Sequence, residues 1–145
     1  MIPSKEVVRV AREQIGTKYR DRSAQKGIGV CCFGLIEVIA AELGVACPSM
    51  GAFSTPSISE VDRQADRWFA QLIEPQNGCI VLIAPGYRLT RGAPILHWGI
   101  LTDQSRHKPW GLLHSARGNG KVWEERFSSS WQKRAIRYYS FRDSI

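Results

Sequence analysis

Hydrophobic positions recur along this chain with two different periods, and the change falls near residue 75. Before it the step is three or four. Val7, Val8, Ala11 and Ile15 share one face of a segment over 4–15, while Glu6, Arg9, Arg12 and Glu13 lie elsewhere. Ser4 reads as its N-cap and Gly16 as its stop. A second stripe, Leu35, Val38, Ile39 and Leu43, predicts a helix over 33–43 closed by Gly44. A third, Val61, Ala65, Trp68, Phe69 and Leu72, follows the capping-box pattern Ser57-x-x-Glu60 and predicts a helix over 58–72, with its two aromatic residues assigned to the core. Residues 16–30 read as a polar, glycine-bearing loop and 44–57 as a Gly/Pro/Ser-rich connection.

After the turn Glu74-Pro75-Gln76-Asn77-Gly78 the pattern becomes short apolar runs. Cys79–Ala84, Ile95–Thr102, Leu112–Ala116 and Ala135–Phe141 have strand length. Asn119-Gly120 reads as a hairpin turn into Lys121-Val122-Trp123, and 128–133 interrupts the pattern. The loop 85–94 is bounded by prolines and carries Arg88 and Arg91. Helices first and antiparallel strands afterwards predict an α+β domain.

Length and composition narrow the classes. At 145 residues and 43% hydrophobic, the chain is expected to be one domain, 1–145, with a core of its own. No apolar run is long enough to span a membrane. The start, Met1-Ile2-Pro3-Ser4-Lys5-Glu6, lacks the charged-then-apolar pattern of a secretory signal, so cytoplasmic synthesis is expected unless another route exports the chain. The net charge of +7 suits an anionic partner such as a cell wall, or plain solubility. Its basic residues are scattered and form no nucleic-acid motif, so a nucleic-acid partner ranks low. Cysteines at 31, 32, 47 and 79 include no C-x2-C pair, which argues against structural zinc, and the expected cytosolic origin argues against a disulfide framework. No cofactor or metal is expected.

The candidate chemistry begins at Cys31-Cys32, between the loop Lys26-Gly27-Ile28-Gly29 and the second helix. A cysteine in the first helical turn faces unpaired N–H groups and the positive end of the helix dipole, which favour the nucleophilic thiolate. Both cysteines read equally well as small buried apolar residues. A base is needed for catalysis. His97 lies mid-strand between Leu96 and Trp98, on the face of Gly99 and Leu101, where the glycine leaves room for a backbone or substrate. His114 lies in the next strand. If the two strands pair as a hairpin, the imidazoles share a face, giving nucleophile, base and orienting group. His107, beside Arg106 and Lys108, reads as solvated. Tyr19 is the only aromatic residue of its loop and reads as surface packing or as a hydroxyl donor to the site.

Ile-Gly-Thr-Lys-Tyr at 15–19, Gly-Val-Cys-Cys-Phe-Gly-Leu-Ile at 29–36, His-Trp-Gly-Ile at 97–100 and Leu-Leu-His-Ser-Ala at 112–116 together resemble the NlpC family, papain-like cysteine peptidases that cut bacterial cell-wall peptides. The matches follow the family's order over nearly the whole chain. The resemblance implies Cys32 as nucleophile, His97 as base, His114 as the group that orients it, and Tyr19 as an oxyanion donor. The family's Asp-Cys-Ser-Gly falls on Cys31-Cys32-Phe33-Gly34, so Cys31 stands for the aspartate and Phe33 for the serine. Asn77-Gly78-Cys79 stands where the family has Pro-Gly-Asp. The order Cys, His, His argues against the circularly permuted acyltransferase relatives. The implied substrate is a peptidoglycan stem peptide, at the γ-D-glutamyl–diamino acid amide. Single-domain members without a leader resemble phage or prophage tail-associated lysins, closest here, and injected amidase effectors of type VI secretion. Tail or secretion-apparatus proteins and an immunity protein are the implied partners, with the periplasm or wall as destination. The altered flank of Cys32 supports a second reading, a catalytically idle structural or peptide-binding domain.

Overall fold

A computed structural model of the chain describes residues 2–53, 58–84, 96–103 and 110–142. Ser57, the loop 85–94 with Arg88 and Arg91, Ile95 and His107 lie outside the described residues. In chain order the elements are α1 (Ser4–Glu13), β1 (Ala24–Gln25), β2 (Gly29–Val30), α2 (Cys32–Leu43), α3 (Ile58–Trp68), β3 (Phe69–Leu72), β4 (Ile80–Ile83), β5 (His97–Asp103), β6 (Trp110–Ala116), β7 (Lys121–Arg126), α4 (Ser129–Gln132) and β8 (Ala135–Phe141). The expected α+β architecture is present: helices pack on an antiparallel sheet of order β3-β8-β4-β5-β6-β7.

Alternation along the central strands divides the core between the two faces of the sheet. Ile80, Leu82, Trp98, Ile100, Leu113 and Tyr139 meet the helices: Val7, Val10 and Ala11 of α1, Leu35, Ile36 and Ile39 of α2, and Val61 and Ala65 of α3. Cys79, Val81, Ile83, Leu101 and Leu112 pack on the other face with Phe127 and Trp131. Helix α2 is apolar on most of its circumference, with Phe33 through Ile36 and Val38 through Ala40 buried, as befits the helix laid centrally on the sheet. Its end is a Schellman motif: Gly44 is left-handed, its N–H donates to Ala41 O, and Val45 N–H donates to Ala40 O. Arg12 of α1 forks onto Glu124 of β7, with both nitrogens 3.0 Å from the carboxylate, tying the first helix to the edge of the sheet.

Several boundaries differ from the periodic reading. The N-cap of α1 is Pro3, whose carbonyl accepts from Glu6 and Val7 N–H; Ser4 is already helical. The helix expected over 58–72 stops at Trp68, and 69–72 is the edge strand β3, with Phe69 opposite Phe141. Phe69 and Leu72 are spaced to fit either structure, and the β8 partner decides. Of the aromatic pair, Phe69 is buried and Trp68 is 37% exposed, so only one belongs to the core. The loop 16–30 contains the small β1–β2 hairpin. Strands β6 and β7 are longer than their apolar runs, because the β6–β7 ladder continues to Gly111 opposite Arg126.

Gly34 fixes how closely α2 approaches this hairpin. A Cβ there would lie 1.9 Å from Ser23 O and 2.9 Å from its carbonyl carbon. Gly34→Ala is therefore expected to destabilise the protein by roughly 3 kcal/mol through overpacking against backbone that cannot yield. Gly118→Ala, where no atom lies within 4 Å of the added carbon, serves as control and is expected to stay within about 0.5 kcal/mol. Urea denaturation midpoints at unchanged m-value make the comparison.

Candidate active site

The tip of α2 sits where two strands part. The ladder between β5 and β6 runs from Asp103↔Trp110 to Ile100↔Leu113 and does not continue towards His97 and Ala116. The chain around Cys32 takes hydrogen bonds there instead. Ser115 Oγ donates to Val30 O at 2.8 Å. Cys32 Sγ lies 4.0 Å from Leu96 O, and the backbone N–H of Trp98 points at the sulfur. The thiol thus abuts the β5 backbone on both sides of His97.

His97 and His114 come together as the hairpin reading requires. Gly99 is the cross-strand neighbour implied for His114 by the Ile100↔Leu113 register, so His97, Gly99 and His114 share a face. His97 Nε2 is 2.7 Å from His114 Nδ1, with the rings edge to face at 79°. The space beside Gly99 is filled from β6: an added Cβ would meet Leu112 Cδ1 at 2.6 Å and His114 Cβ at 3.4 Å. The glycine accommodates the neighbouring strand's side chains, where the sequence suggested room for a backbone or substrate.

The Tyr19 hydroxyl already has a partner. Its hydroxyl donates to Asp21 Oδ1 at 2.8 Å, and Arg117 Nη2 binds both oxygens of the same carboxylate at 2.6 and 2.8 Å. Burial first and this hydrogen bond second push the Tyr19 phenol up to about 12, with a smaller contribution from a thiolate at Cys32. Its proton is therefore engaged, and donation to a substrate oxygen requires leaving Asp21.

Cys31 is not packed into the core. It is the N-cap of α2, and its sulfur accepts from Gly34 N–H at 3.3 Å, the capping task an aspartate at this position would perform. Phe33 is buried edge-on against Trp98, 5.1 Å between centroids at 70°. Cys79, where the resembling family carries aspartate, is buried beside β4.

Two further residues complete the histidine cluster, and neither was found in the sequence. Glu125 Oε2 lies 2.8 Å from His114 Nε2. Trp131 Nε1 donates to Glu125 Oε1 at 3.2 Å, and the indole stacks on His97 at 25° and 5.8 Å. Arg134 lies over the indole at 4.4 Å. The available signal was alternation in β7: Trp123 faces His114, and Glu125 follows on the same face.

Burial dominates the electrostatics. It pushes the Cys32 thiol up to about 11, against the lowering effect of N–H groups of Trp98, Phe33 and Cys32 itself. Burial first, then the neighbouring His114 and Arg134, lower His97 to about 3, while Glu125 acts the other way. Burial alone would raise Glu125, but the hydrogen bonds from His114 and Trp131 outweigh it and hold the carboxyl below its ordinary range. The thiolate anticipated at the start of α2 is therefore not the resting form. Sulfur keeps its proton, and His97 is neutral.

Among solved structures, the chain is similar to an N-acetylmuramoyl-L-alanine amidase from Bacteroides uniformis, with a TM-score of 0.66 and 14% identity over 97% of this chain and 99% of the other. The NlpC/p60 domain of the peptidoglycan hydrolase SagA gives 0.57 and 16% over 97% and 100%. A lipoprotein-like NLP/P60 family protein from Staphylococcus aureus gives 0.64 and 16% over 95% of this chain. The fold is that of the NlpC/P60 proteins. The chain spans 41% of the staphylococcal protein's length. No family model matches the sequence, and no curated protein matches it. Within the NlpC/P60 fold, no group of three potential metal ligands is assembled among the described residues, and no described helix is long and apolar enough to cross a membrane.

Two outcomes follow from the neutral resting pair. In a Cys31→Ser background, which keeps a capping oxygen, alkylation of Cys32 by iodoacetamide should continue to accelerate up to pH 10–11, near the thiol value of about 11. A plateau below pH 8 would show a resting ion pair instead. For His97 the folded value of about 3 lies below the ordinary histidine value of 6.5, so between them the unfolded chain binds the extra proton. The His97 contribution should therefore cost stability as pH falls from 6.5 towards 3. The wild-type protein should lose more stability than His97→Asn over that window, measured by urea melts.

Proposed function

We propose that this chain is a cysteine peptidase or amidase that hydrolyses an amide bond in peptidoglycan stem peptides, and that residues 1–145 act as one catalytic domain. The observation that carries the reading is the 2.7 Å contact between His97 and His114, with the Cys32 thiol against the backbone on either side of His97, within an NlpC/P60 fold. The net charge of +7 suits approach to an anionic wall polymer. The bond favoured is D-Glu–diamino acid, on the motif resemblance. The amide named by the Bacteroides neighbour, between muramoyl and L-alanine, is the competing position. A phage tail or a secretion apparatus as carrier, and an immunity protein as inhibitor, belong to the same reading.

The resting protonation sets the order of events. As Cys32 Sγ attacks the carbonyl carbon, its proton passes to His97 on the ring nitrogen not bonded to His114, Nδ1. The backbone N–H of Cys32, in the first turn of α2, holds the oxyanion. The imidazolium then returns the proton to the leaving amine, the C–N bond breaks, and a thioester remains. Water, deprotonated by His97, attacks the thioester, and the thiolate leaves with the proton restored to it. His114 accepts from His97 Nε2 throughout and keeps the ring aimed.

One observation favours the idle-domain reading: a thiol pushed up to about 11 is a poor nucleophile until substrate changes its surroundings. Digestion of purified stem-peptide and muramoyl-peptide fragments, with product masses, decides both activity and bond. Cys32→Ala and His97→Ala should abolish cleavage. His114→Ala should lower it by roughly 10²–10⁴-fold, the usual worth of acid–base catalysis. Tyr19→Phe should cost less than about tenfold, the worth of one modest hydrogen bond, because Asp21 already holds its proton. Wild-type turnover by Cys32→Ala would remove the nucleophile from this account, and an inactive wild type would favour the idle domain.

A further inference from the structure

Two imidazoles that carry one proton each and share one hydrogen bond have two proton arrangements. Either His97 Nε2 donates to His114 Nδ1, or the reverse. The 2.7 Å contact is satisfied both ways, but only the first leaves His97 Nδ1 bare. In the second, Nδ1 carries the proton and cannot take one from a thiol. The ring pair alone does not choose between a base and a non-base.

Glu125 makes the choice. An ionised carboxylate can only accept, so His114 Nε2, 2.8 Å from Oε2, must carry a proton. A neutral His114 then has a bare Nδ1, His97 Nε2 must donate to it, and the free lone pair of His97 falls on Nδ1. The second carboxylate oxygen is engaged by Trp131 Nε1 at 3.2 Å, and an indole N–H can only donate, so this partner also demands an acceptor. The same indole covers both rings, stacked on His97 and edge-on to His114 at 5.2 Å. The four groups form one directed chain from Trp131 and His114 onto Glu125.

We propose that Glu125 is a positioning residue of this site, fixing the tautomers of His114 and His97 so that His97 presents an unprotonated Nδ1, with Trp131 clamping the carboxylate. The proposal rests on the reading of His97 as the base. Its spectroscopic test does not depend on activity. In protein labelled with nitrogen-15 at histidine, two-bond proton–nitrogen correlation spectra near pH 7.5 should show both rings protonated at Nε2. In E125Q a single amide oxygen faces donors from His114, Trp131 and Trp123, and the amide nitrogen can donate to His114 Nε2. A population protonated at Nδ1 should then appear on His114 and on His97. E125L, with no acceptor, should show the same mixture. W131F keeps the carboxylate and should keep both rings protonated at Nε2.

On stem peptide, E125Q should lose roughly 10²-fold or more in kcat with KM little changed, as a wrong tautomer does in a serine triad. W131F should lose less than about tenfold. Nδ1-protonated rings in the wild type, or rings purely Nε2-protonated in both E125Q and E125L, would overturn the proposal. If the wild type cleaves no stem peptide while the tautomers respond to E125Q, the positioning role stands and the proposed function falls. If cleavage is normal in E125Q, the positioning role falls alone.

Discussion

The first turn of α2 is held against the hairpin and the sheet at a separation only glycine permits. Gly34 faces Ser23 O, which also accepts from Cys31 N–H at 2.9 Å, while Ser23 Oγ donates to Gly29 O at 2.8 Å. On the other side Ser115 Oγ takes Val30 O. Past Ile100, where the β5–β6 ladder ends, Leu96 O and the Trp98 N–H of β5 meet the Cys32 sulfur instead. The fit of the helix tip holds the Cys32 thiol against the β5 backbone at Leu96 and Trp98, the residues on either side of His97. Phe33 locks the same turn from within by its edge contact with Trp98, the residue after the histidine. A large aromatic side chain there is consistent with a helix that must press on the sheet.

That close fit also sets the electrostatics. A helix N-terminus favours an anion by about 0.3–1 kcal/mol, up to about 2 in partly buried geometries. Removing a charge from water costs several kcal/mol after relaxation. With the sulfur packed against β5, the second effect is the larger, and Cys32 rests as a thiol. His97 is subject to the same cost, increased by Arg134, and rests neutral. Both groups therefore rest uncharged.

Cys31 shows how a departure from a family pattern can be physically small. The capping task belongs to any side-chain acceptor that reaches Gly34 N–H, and the sulfur does so at 3.3 Å, more weakly than a carboxylate would. What changes is charge: the negative group that an aspartate would set beside Cys32 is absent.

Local pattern in the sequence was enough for the helical stripes of α1 and α2, the Gly44 stop, the runs of β4, β5 and β8, and the common face of His97 and His114, because each depends on spacing within one element or one hairpin. Tertiary structure alone decided the rest. Residues 69–72 carry a spacing that suits helix or strand, and β8, about seventy residues away, made them a strand. Tyr19 was legible as a hydroxyl near the site, but its engagement by Asp21 and Arg117 depends on a turn nearly a hundred residues on. Glu125 was one of two adjacent glutamates that alternation puts on opposite faces, and spacing alone does not say which face carries His114. The register of β7 sends it to His114 and sends Glu124 to Arg12 and Thr102. The protonation of Cys32 could not be read from the motif, because the helix dipole is a property of the local chain and desolvation is a property of everything packed around it.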